Sequence, residues 1–180
     1  MRDLEIIQRC RAGDKAAFEA LFQEYAQRAL RTAFLMTHQP SLAEDAVQET
    51  FIQVWTNIHE LRDAYAFRAW FFRILINRIR NLGKRDGGNH NLPLENVNDH
   101  DNRIPRPEEQ VERDEELHRV QEAIALLPEP HRLTIILRYY SELSEVEIGE
   151  ALGIPAGTVK SRLRAAKARL QEQLSNHDSF

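Results

Sequence analysis

The stretch LSEVEIGEALGIPAGTVKSRLRAAKARLQEQL, residues 143–174, decides the fold of the C-terminal part of the chain. Ser144 stands three residues before Glu147, which is the spacing of a capping box at the start of a helix. Gly153 follows a short apolar-periodic run and suits the left-handed turn that ends a helix. A longer periodic run begins after Pro155. Two helices joined by a tight glycine turn predict a helix-turn-helix, whose second helix is shaped to lie in the major groove of DNA.

The second helix of this motif is amphipathic and carries charge of one sign. On a helical wheel, Val159 and Leu163 share the face that packs inward. The other side and its flanks hold five basic residues and no acid: Lys160, Arg162, Arg164, Lys167 and Arg169, with Ser161 among them. A helix that needed only solubility would mix signs to gain ion pairs along its length. The pattern predicts contacts with phosphates and guanine edges; the alternative is a solvated basic helix in an ordinary bundle.

Charge is unevenly distributed along the chain, whose 180 residues carry a formal net charge of −4. Residues 1–85 contain 13 basic and 10 acidic residues, residues 86–115 contain 3 and 9, and residues 116–180 contain 8 and 9. A second basic run without an acid lies within 73–85. Because the local field decides where a polyanion binds, nucleic acid is a candidate partner of both ends.

Several classes of protein are disfavoured by what the sequence lacks. Cys10 is the single cysteine, and the seven histidines have no metal-ligand spacing. No stretch approaches ~18 consecutive apolar residues, and the N-terminus has no apolar signal core. No glycine-rich phosphate loop, nucleophile elbow or supported pair of carboxylates is present. We therefore expect a cytoplasmic protein that is not an enzyme and that binds no metal and no cofactor.

The rest of the chain is patterned almost entirely for helices, so we predict an all-α protein. Asp14 predicts the N-cap of an early helix. Ser41, three residues before Glu44, predicts a second capping box. Apolar periodicity then predicts helices over about 42–58, 65–82, 112–127 and 131–140.

The stretch 86–110 has no periodicity, is acidic, and contains Gly87-Gly88 and three prolines, a composition typical of a linker. We therefore predict two small helical domains, over 1–85 and 112–180, joined by a flexible acidic linker over 86–111. About 25 linker residues span at most ~80 Å when extended but average only ~25–30 Å as a coil. Without a partner that extends the linker, the two domains are expected to be able to fold together.

The predicted helix over 42–58 has a polar face with one apolar residue at its centre. Its inward face is expected to hold Val47, Thr50, Phe51, Val54, Trp55 and Ile58. The opposite face holds Asp45, Gln48 and Glu49 around Ile52. An apolar centre with a polar rim is the composition of a small docking patch, but a solvated face with one tolerated apolar residue explains the pattern equally well.

The predicted helix over 65–82 is apolar around most of its circumference, and a stripe of Arg73, Asn77 and Arg80 occupies the remainder. Aromatic rings beside arginines suit unstacked bases, which stack on rings while cations meet the backbone. An asparagine in such a stripe can read a base edge. The alternative places all aromatic residues in the core and the arginines at the surface. We favour a functional role for Phe72 and Asn77.

Four blocks resemble bacterial RNA polymerase sigma factors of the extracytoplasmic-function group. They are AEDAVQETFIQVW (43–55), FRAWFFRILINRIRN (67–81), LPEPHRLTIILRYYSELSEVEIGEALG (127–153) and IPAGTVKSRLRAAKARL (154–170). The resemblance implies that 1–85 is the helical bundle called sigma region 2 and that 112–180 is sigma region 4, with its helix-turn-helix. It implies promoter-specific transcription initiation, with core RNA polymerase, promoter DNA and a cognate anti-sigma factor as partners and no direct insertion into a membrane.

The resemblance also gives each candidate surface a role. The patch that would bind core polymerase consists of Asp45, Gln48, Glu49 and Ile52. The pocket that would take a flipped base from the minus-ten element consists of Leu61, Arg62, Phe72, Arg73, Ile74, Asn77 and Arg80, and its binding energy would offset the few kcal/mol of unstacking. The face that would contact the minus-thirty-five duplex consists of Lys160, Ser161, Arg162, Arg164 and Lys167. Ala165 stands where family members often have a basic residue, which leaves the promoter preference open.

Two other classes of protein account for less of the sequence. A stand-alone helix-turn-helix regulator would explain residues 143–174 but gives the polar face of 42–58 and the stripe of 65–82 no role. An enzyme would need one of the motifs that are missing. The acidic linker suggests a further hypothesis, in which Glu95, Asp99 and Asp101 help it to occupy a positively charged channel of the polymerase.

Overall fold

The computed structural model describes residues 2–85 and 108–177, with side chains described for 4–84 and 117–175. The helices are α1 Arg2–Arg11, α2 Lys15–Thr37, α3 Pro40–Asn57, α4 Phe67–Arg85, α5 Glu108–Ala125, α6 Glu129–Tyr139, α7 Glu145–Leu152 and α8 Ala156–His177. Short 3₁₀ turns at Ile58–Glu60 and Ala64–Ala66 connect α3 to α4. Every regular element in the described residues is helical, which confirms the all-α prediction.

The helix starts follow local capping chemistry. Asp14 caps α2 as predicted, because its carboxylate accepts hydrogen bonds from two backbone amides of the first turn, at 2.9 and 3.1 Å. The predicted capping box at Ser41 is wrong, since α3 begins at Pro40 and its N-cap Gln39 makes no side-chain hydrogen bond. Proline lacks an amide hydrogen and has a φ suited to a helix, so it is favoured at the first helical position. Helix α1 was not predicted.

Helices α2, α3 and α4 form the first bundle, with α1 packed along α2. Tyr25 of α2 lies 5.3 Å from Phe67 and 5.2 Å from Phe71 of α4, measured between ring centres. Phe51 of α3 lies 5.3 Å from Phe71. Each of these rings is buried, and the burial of a side chain of this size contributes about 1.5–3 kcal/mol. The aromatic cluster therefore fixes the three helices relative to one another.

Helices α6, α7 and α8 form the second unit, and α7 and α8 are the predicted helix-turn-helix. The amide of Glu147 donates to Ser144 Oγ at 3.2 Å, and the amide of Ser144 donates to the Glu147 carboxylate at 2.7 Å. The predicted capping box is thus confirmed. Gly153 ends α7 with a φ of 68°, as predicted. Ile148 of α7 and Val159 of α8 are fully buried, which holds the two helices together.

The two units pack on each other in the described part of the chain. Helix α4 lies against α7, and α2 lies against α6. Thr32 of α2 and Ser141, in the turn between α6 and α7, are fully buried, with their hydroxyl oxygens 2.9 Å apart. The buried apolar residues of both units form one continuous cluster. The predicted linker, 86–111, falls mostly on 86–107, outside the described residues. Its last four residues, 108–111, were predicted to be non-helical but belong to α5.

Candidate nucleic-acid and protein interfaces

Helix α8 presents its predicted basic face to solvent. Lys160, Ser161, Arg164 and Lys167 are exposed, while Arg162 is half-buried. The ammonium of Lys167 lies 5.4 Å from the centre of the Tyr139 ring, a contact that holds it beside α6. The side predicted to face inward is largely buried, since Val159, Leu163 and Ala166 are buried and Leu170 is half-buried. The face can therefore meet a duplex without a rearrangement of the second unit.

A glycine that the sequence analysis missed sets the angle between α7 and α8. A Cβ atom added at Gly149 would lie 2.7 Å from the carbonyl oxygen of Ile154, in the turn before α8. That distance is shorter than a non-bonded contact allows, so the backbone of the turn approaches α7 only because residue 149 has no side chain. A glycine inside the short run EVEIGEAL was the available signal, since it weakens a helix unless packing requires it.

The polar face of α3 is exposed as predicted. Asp45 and Gln48 face solvent, and Ile52 is 59% exposed. Glu49 is held at one edge of the face, because its carboxylate lies 3.5 Å from the guanidinium of Arg78 on α4. The same guanidinium donates to the side-chain carbonyl of Gln53 at 2.7 and 3.0 Å. Arg78 therefore ties the edge of this face to α4, a role that the sequence analysis did not assign.

An apolar groove runs beside this face, between α2 and α3. Its volume is about 830 Å³. Trp55, which was predicted to face inward, is 39% exposed in the groove, and Phe22 is 46% exposed. The lining comprises Lys15, Phe18, Phe22, Ala26, Gln27, Leu30, Glu44, Val47, Gln48, Phe51, Ile52 and Trp55. Gln48 and Ile52 belong both to the groove and to the polar face, so the two form one continuous surface.

The stripe on α4 is only partly at the surface. Its three members Arg73, Asn77 and Arg80 are exposed, as is Arg62 in the turn before α4. The guanidinium of Arg80 lies 3.3 Å from the carboxylate of Glu129 at the start of α6. The three apolar members of the predicted base pocket are buried, with exposures of 8% for Leu61, 0% for Phe72 and 6% for Ile74. In this arrangement the polar half of the predicted pocket is accessible and its apolar half is not.

Other chemistry in the described residues is limited. No group of His, Cys, Asp and Glu side chains within them is placed to hold a metal ion. Burial raises the pKa of the Cys10 thiol to about 11, so it stays protonated near neutral pH and is a poor nucleophile. Within the same residues, no helix has the length and apolar character that crossing a membrane requires.

Known proteins share both units of this chain. The family model for sigma-70 region 2 matches residues 21–87, and the model for sigma-70 region 4 matches residues 117–170. The chain is 33% identical over 178 residues to the ECF RNA polymerase sigma factor SigW of Bacillus subtilis. The matched region covers 93% of this chain and 94% of SigW. It is 31% identical over 182 residues to the RNA polymerase sigma-H factor of Pseudomonas aeruginosa, a match that covers 96% of this chain and 94% of the sigma-H factor.

Two solved structures resemble the fold over most of its length. CnrH, in complex with the cytosolic domain of CnrY, matches with a TM-score of 0.73 at 24% identity, covering 97% of both chains. The sigma factor RpoE, in complex with the anti-sigma factor NepR from Bartonella quintana, matches with a TM-score of 0.64 at 26% identity, covering 87% of this chain and 98% of that one.

The fold, the helix-turn-helix and the two matched regions define a sigma factor of the sigma-70 class. Within that class, the chain belongs to the extracytoplasmic-function RNA polymerase sigma factors. The resemblance drawn from the four sequence blocks is therefore confirmed.

Proposed function

We propose that this chain binds core RNA polymerase and directs it to promoters that carry a minus-ten and a minus-thirty-five element. The observation that carries the proposal is the presence of region 2 and region 4 in one chain, each with its own exposed polar or basic surface. Residues 1–85 then form the unit for core and minus-ten binding, 86–111 the linker and 112–180 the upstream-element unit. The protein acts in the cytoplasm, where its polymerase and promoters are.

Core polymerase binds the exposed face of α3 together with the groove beside it. Asp45 and Gln48 supply a polar rim, and Ile52 supplies an apolar contact at the centre. The neighbouring groove adds the apolar area that a stable protein interface buries at its core. The Glu49–Arg78 ion pair fixes the edge of the surface nearest to α4.

A paired substitution tests this docking surface. The double variant Asp45→Ala/Gln48→Ala should no longer compete with the wild-type chain for core polymerase. Its free energy of unfolding should change by no more than ~0.5 kcal/mol, because both side chains are exposed. Gln8→Ala with Glu24→Ala removes the same two chemical groups from exposed positions on α1 and α2, and should leave competition unchanged. If the Asp45→Ala/Gln48→Ala variant competed as strongly as the wild-type chain, core polymerase would bind elsewhere.

The minus-ten element is bound by the α4 stripe. Arg62, Arg73 and Arg80 suit the backbone of a separated strand, and Asn77 can read the edge of a base. Leu61, Phe72 and Ile74 are the apolar residues predicted for this pocket, and because they are buried in the structure they meet an unstacked base only after the side chains that cover them move. The energy of stacking a base on an aromatic ring, about 1–3 kcal/mol, is comparable with the few kcal/mol needed to take that base out of the duplex.

The minus-thirty-five element is bound by α8 in the major groove. Lys160, Ser161 and Arg164 face outward at the N-terminal half of the helix, which is the part that reaches base edges in this motif. Arg162 and Lys167 flank them and meet phosphates. Ala165, half-buried beside these residues, offers no hydrogen bond to a base.

An anti-sigma factor controls the chain in this proposal. Support comes from the structures that share the fold: RpoE was solved with the anti-sigma factor NepR, and CnrH with the cytosolic domain of CnrY. The exposed groove between α2 and α3 and the basic face of α8 are the surfaces that such an inhibitor would cover.

Run-off transcription on a promoter library tests the function directly. Core polymerase with this chain should produce transcripts from a defined subset of promoters, and core alone should not. A gel-shift on closed duplex then separates the sigma factor from a stand-alone helix-turn-helix regulator. Tight specific binding without core, together with no transcripts in its presence, would overturn the proposal in favour of the regulator.

A further inference from the structure

We propose that Tyr65, in the turn before α4, is a second stacking platform for the separated strand of the minus-ten element, and that it takes a different base from the one that Asn77 reads. The inference rests on the proposed function, since it requires that α4 binds that strand. It goes beyond the predicted pocket, of which Tyr65 is not a member. Its support comes from the exposure of the ring, the position of the turn, the packing beneath the turn and the charges around it.

The ring of Tyr65 is open to contact. It is 75% exposed, more than any other large apolar side chain in the described residues. Phe72, the ring that was predicted to stack on a base, is fully buried. Single exposed apolar residues are common on protein surfaces, so exposure alone assigns no role. It does make Tyr65 a ring beside α4 that a base can reach without any movement of the protein.

The position of the turn places Tyr65 beside the predicted pocket. Leu61 and Arg62, two members of that pocket, lie four and three residues before it. The 3₁₀ turn Ala64–Ala66 carries Tyr65 and runs directly into α4. Asn77 lies ten residues beyond the first residue of α4, which is ~15 Å along the helix at ~1.5 Å per residue. Because this separation is several times the ~3.4 Å between stacked bases, Tyr65 and Asn77 contact different bases of one strand.

The turn is ordered before any ligand binds. The carboxylate of Asp63 accepts a hydrogen bond from the backbone amide of Tyr65 at 2.9 Å and caps the 3₁₀ turn. Both 3₁₀ turns, Ile58–Glu60 and Ala64–Ala66, pack on α1. Helix α1 lies outside residues 21–87, which match the region 2 model, so this support comes from a part of the chain that the family model does not include. A turn that is already ordered loses little entropy when a base binds to it.

The charges around Tyr65 are mixed in sign, which distinguishes it from the stripe on α4. Arg62 is exposed, but so are the acids Glu60 and Asp63. Attraction of phosphates to this turn is therefore weak, and the ring binds a base through its π face, a contact that every base can make. An arginine such as Arg73 instead neutralises a phosphate and makes binding depend on salt. The contribution of Tyr65 to affinity should be the same at low and high salt.

Binding of a single strand tests the stacking platform. The protein is the full chain with core polymerase, and the probe is the non-template strand of the minus-ten element from a promoter recovered by run-off transcription. Tyr65→Ala should weaken binding about 5- to 150-fold, the factor that corresponds to the loss of one stacked base. Tyr65→Phe keeps the ring and should bind within about twofold of the wild-type chain. Tyr65→Leu keeps apolar area without a ring and should lose most of the affinity that Tyr65→Ala loses.

Two further readouts separate stacking from a merely structural role. The salt dependence of binding should be the same for Tyr65→Ala and the wild-type chain, whereas Arg73→Ala should reduce the salt slope by about 1. The fluorescent base 2-aminopurine, placed at each position of the strand in turn, reports which base is stacked. Tyr65→Ala should change the signal at one position and Asn77→Ala at another. A change at the same position in both variants, or failure of Tyr65→Phe to retain binding, would overturn the inference.

Controls distinguish this role from core docking and from the proposed function. Leu126→Ala removes a side chain that is 72% exposed on the second unit, and should leave strand binding unchanged. Tyr65→Ala should keep the wild-type thermal melt, because the ring is exposed, and should compete normally for core polymerase; loss of competition would overturn the inference in favour of docking. Wild-type strand affinity in Tyr65→Ala, with transcription intact, would refute the stacking role and leave the proposed function standing. Failure of the wild-type chain to support any transcription with core would refute both.

Discussion

Helices α4 and α8 were both predicted to bind DNA, but the structure displays them differently. The side of α8 that is predicted to contact DNA is mostly polar and basic, and most of it lies in solvent beside a separate buried stripe. The residues of α4 predicted to bind DNA combine the arginines of its stripe with Phe72 and Ile74, and those apolar residues are buried. A surface that contacts the base edges and phosphates of a duplex needs only polar groups, and such groups are stable when exposed to water. A pocket for an unstacked base needs apolar surface, which a protein in water tends to cover.

The largest expected effect is the loss of stability on substitution of Phe72, and its size shows whether the ring is buried or lies in an open pocket. Phe72→Ala should lower the free energy of unfolding by about 3–5 kcal/mol, since the ring is fully buried. Phe22→Ala, at a ring 46% exposed in the groove, should cost only about 1 kcal/mol, because much less apolar area is buried there. Urea denaturation measures both. Similar small losses for the two variants would show that Phe72 is accessible and that the contrast with α8 is false.

The next effect concerns the turn that aims α8. Gly149→Ala gains about 1 kcal/mol of helix propensity, but the added Cβ would lie 2.7 Å from a backbone oxygen, and such overpacking costs about 1–3 kcal/mol. We expect net destabilisation of about 1 kcal/mol and weaker duplex binding. Gly157→Ala, where a Cβ meets nothing within 4 Å, should not destabilise. Thermal melts and gel-shifts that fail to distinguish the two would contradict the assigned role of Gly149.

A comparable effect, confined to binding, is expected at Arg164. Arg164→Ala should weaken binding to the upstream element by about 1–3 kcal/mol if the side chain makes a bidentate guanine contact, and it should leave unfolding unchanged because the residue is exposed. Arg169→Ala, on a different side of α8, should weaken binding less and equally for all sequences. Fluorescence anisotropy of the holoenzyme on matched and mutated elements gives both values; uniform weakening by Arg164→Ala would remove its role in sequence selection.

The smallest effect is a pH dependence at the contact between the units. Burial lowers the pKa of His38 at the end of α2, and the charge of Arg132 on α6 lowers it further. The unfolded chain then binds more protons than the folded one, so stability is complete above the unfolded pKa near 6.5 and falls as the pH drops below it. Urea midpoints at pH 7.5 and 5.5 measure the loss. His38→Asn, which tolerates the left-handed backbone at this residue, should reduce it, and an unaltered loss would place the titrating group elsewhere.

The difference between α4 and α8 also marks what the sequence could predict. The capping box at Ser144, the turn at Gly153 and the two faces of α8 depend on neighbours within a few residues, and all were predicted correctly. The apolar surplus on α4 was interpreted partly as a stacking surface. The structure shows that it serves two packing faces, one towards α2 and α3 and one towards α7. Periodicity within one helix counts apolar faces but does not identify the distant element that covers each.

The groove between α2 and α3 escaped prediction for a related reason. Phe18, Phe22 and Leu30 follow helical spacing along α2, but spacing does not reveal whether α3 approaches closely enough to cover them. Trp55 was assigned inward for the same reason and is partly exposed. The start of α3 at Pro40 was missed because Ser41 offered a capping motif that the proline made unnecessary.

The buried hydroxyl pair of Thr32 and Ser141 aligns the two units and adds little to the strength of the contact between them. When two aliphatic side chains separate, apolar surface becomes exposed to water, and the free-energy cost rises with the area exposed. When two hydroxyls part, each bonds to water in place of the other, so the net loss for the pair is only about 1 kcal/mol. The hydroxyl pair therefore demands accurate alignment but contributes little to the energy that holds the two units together, most of which comes from the apolar cluster that they share.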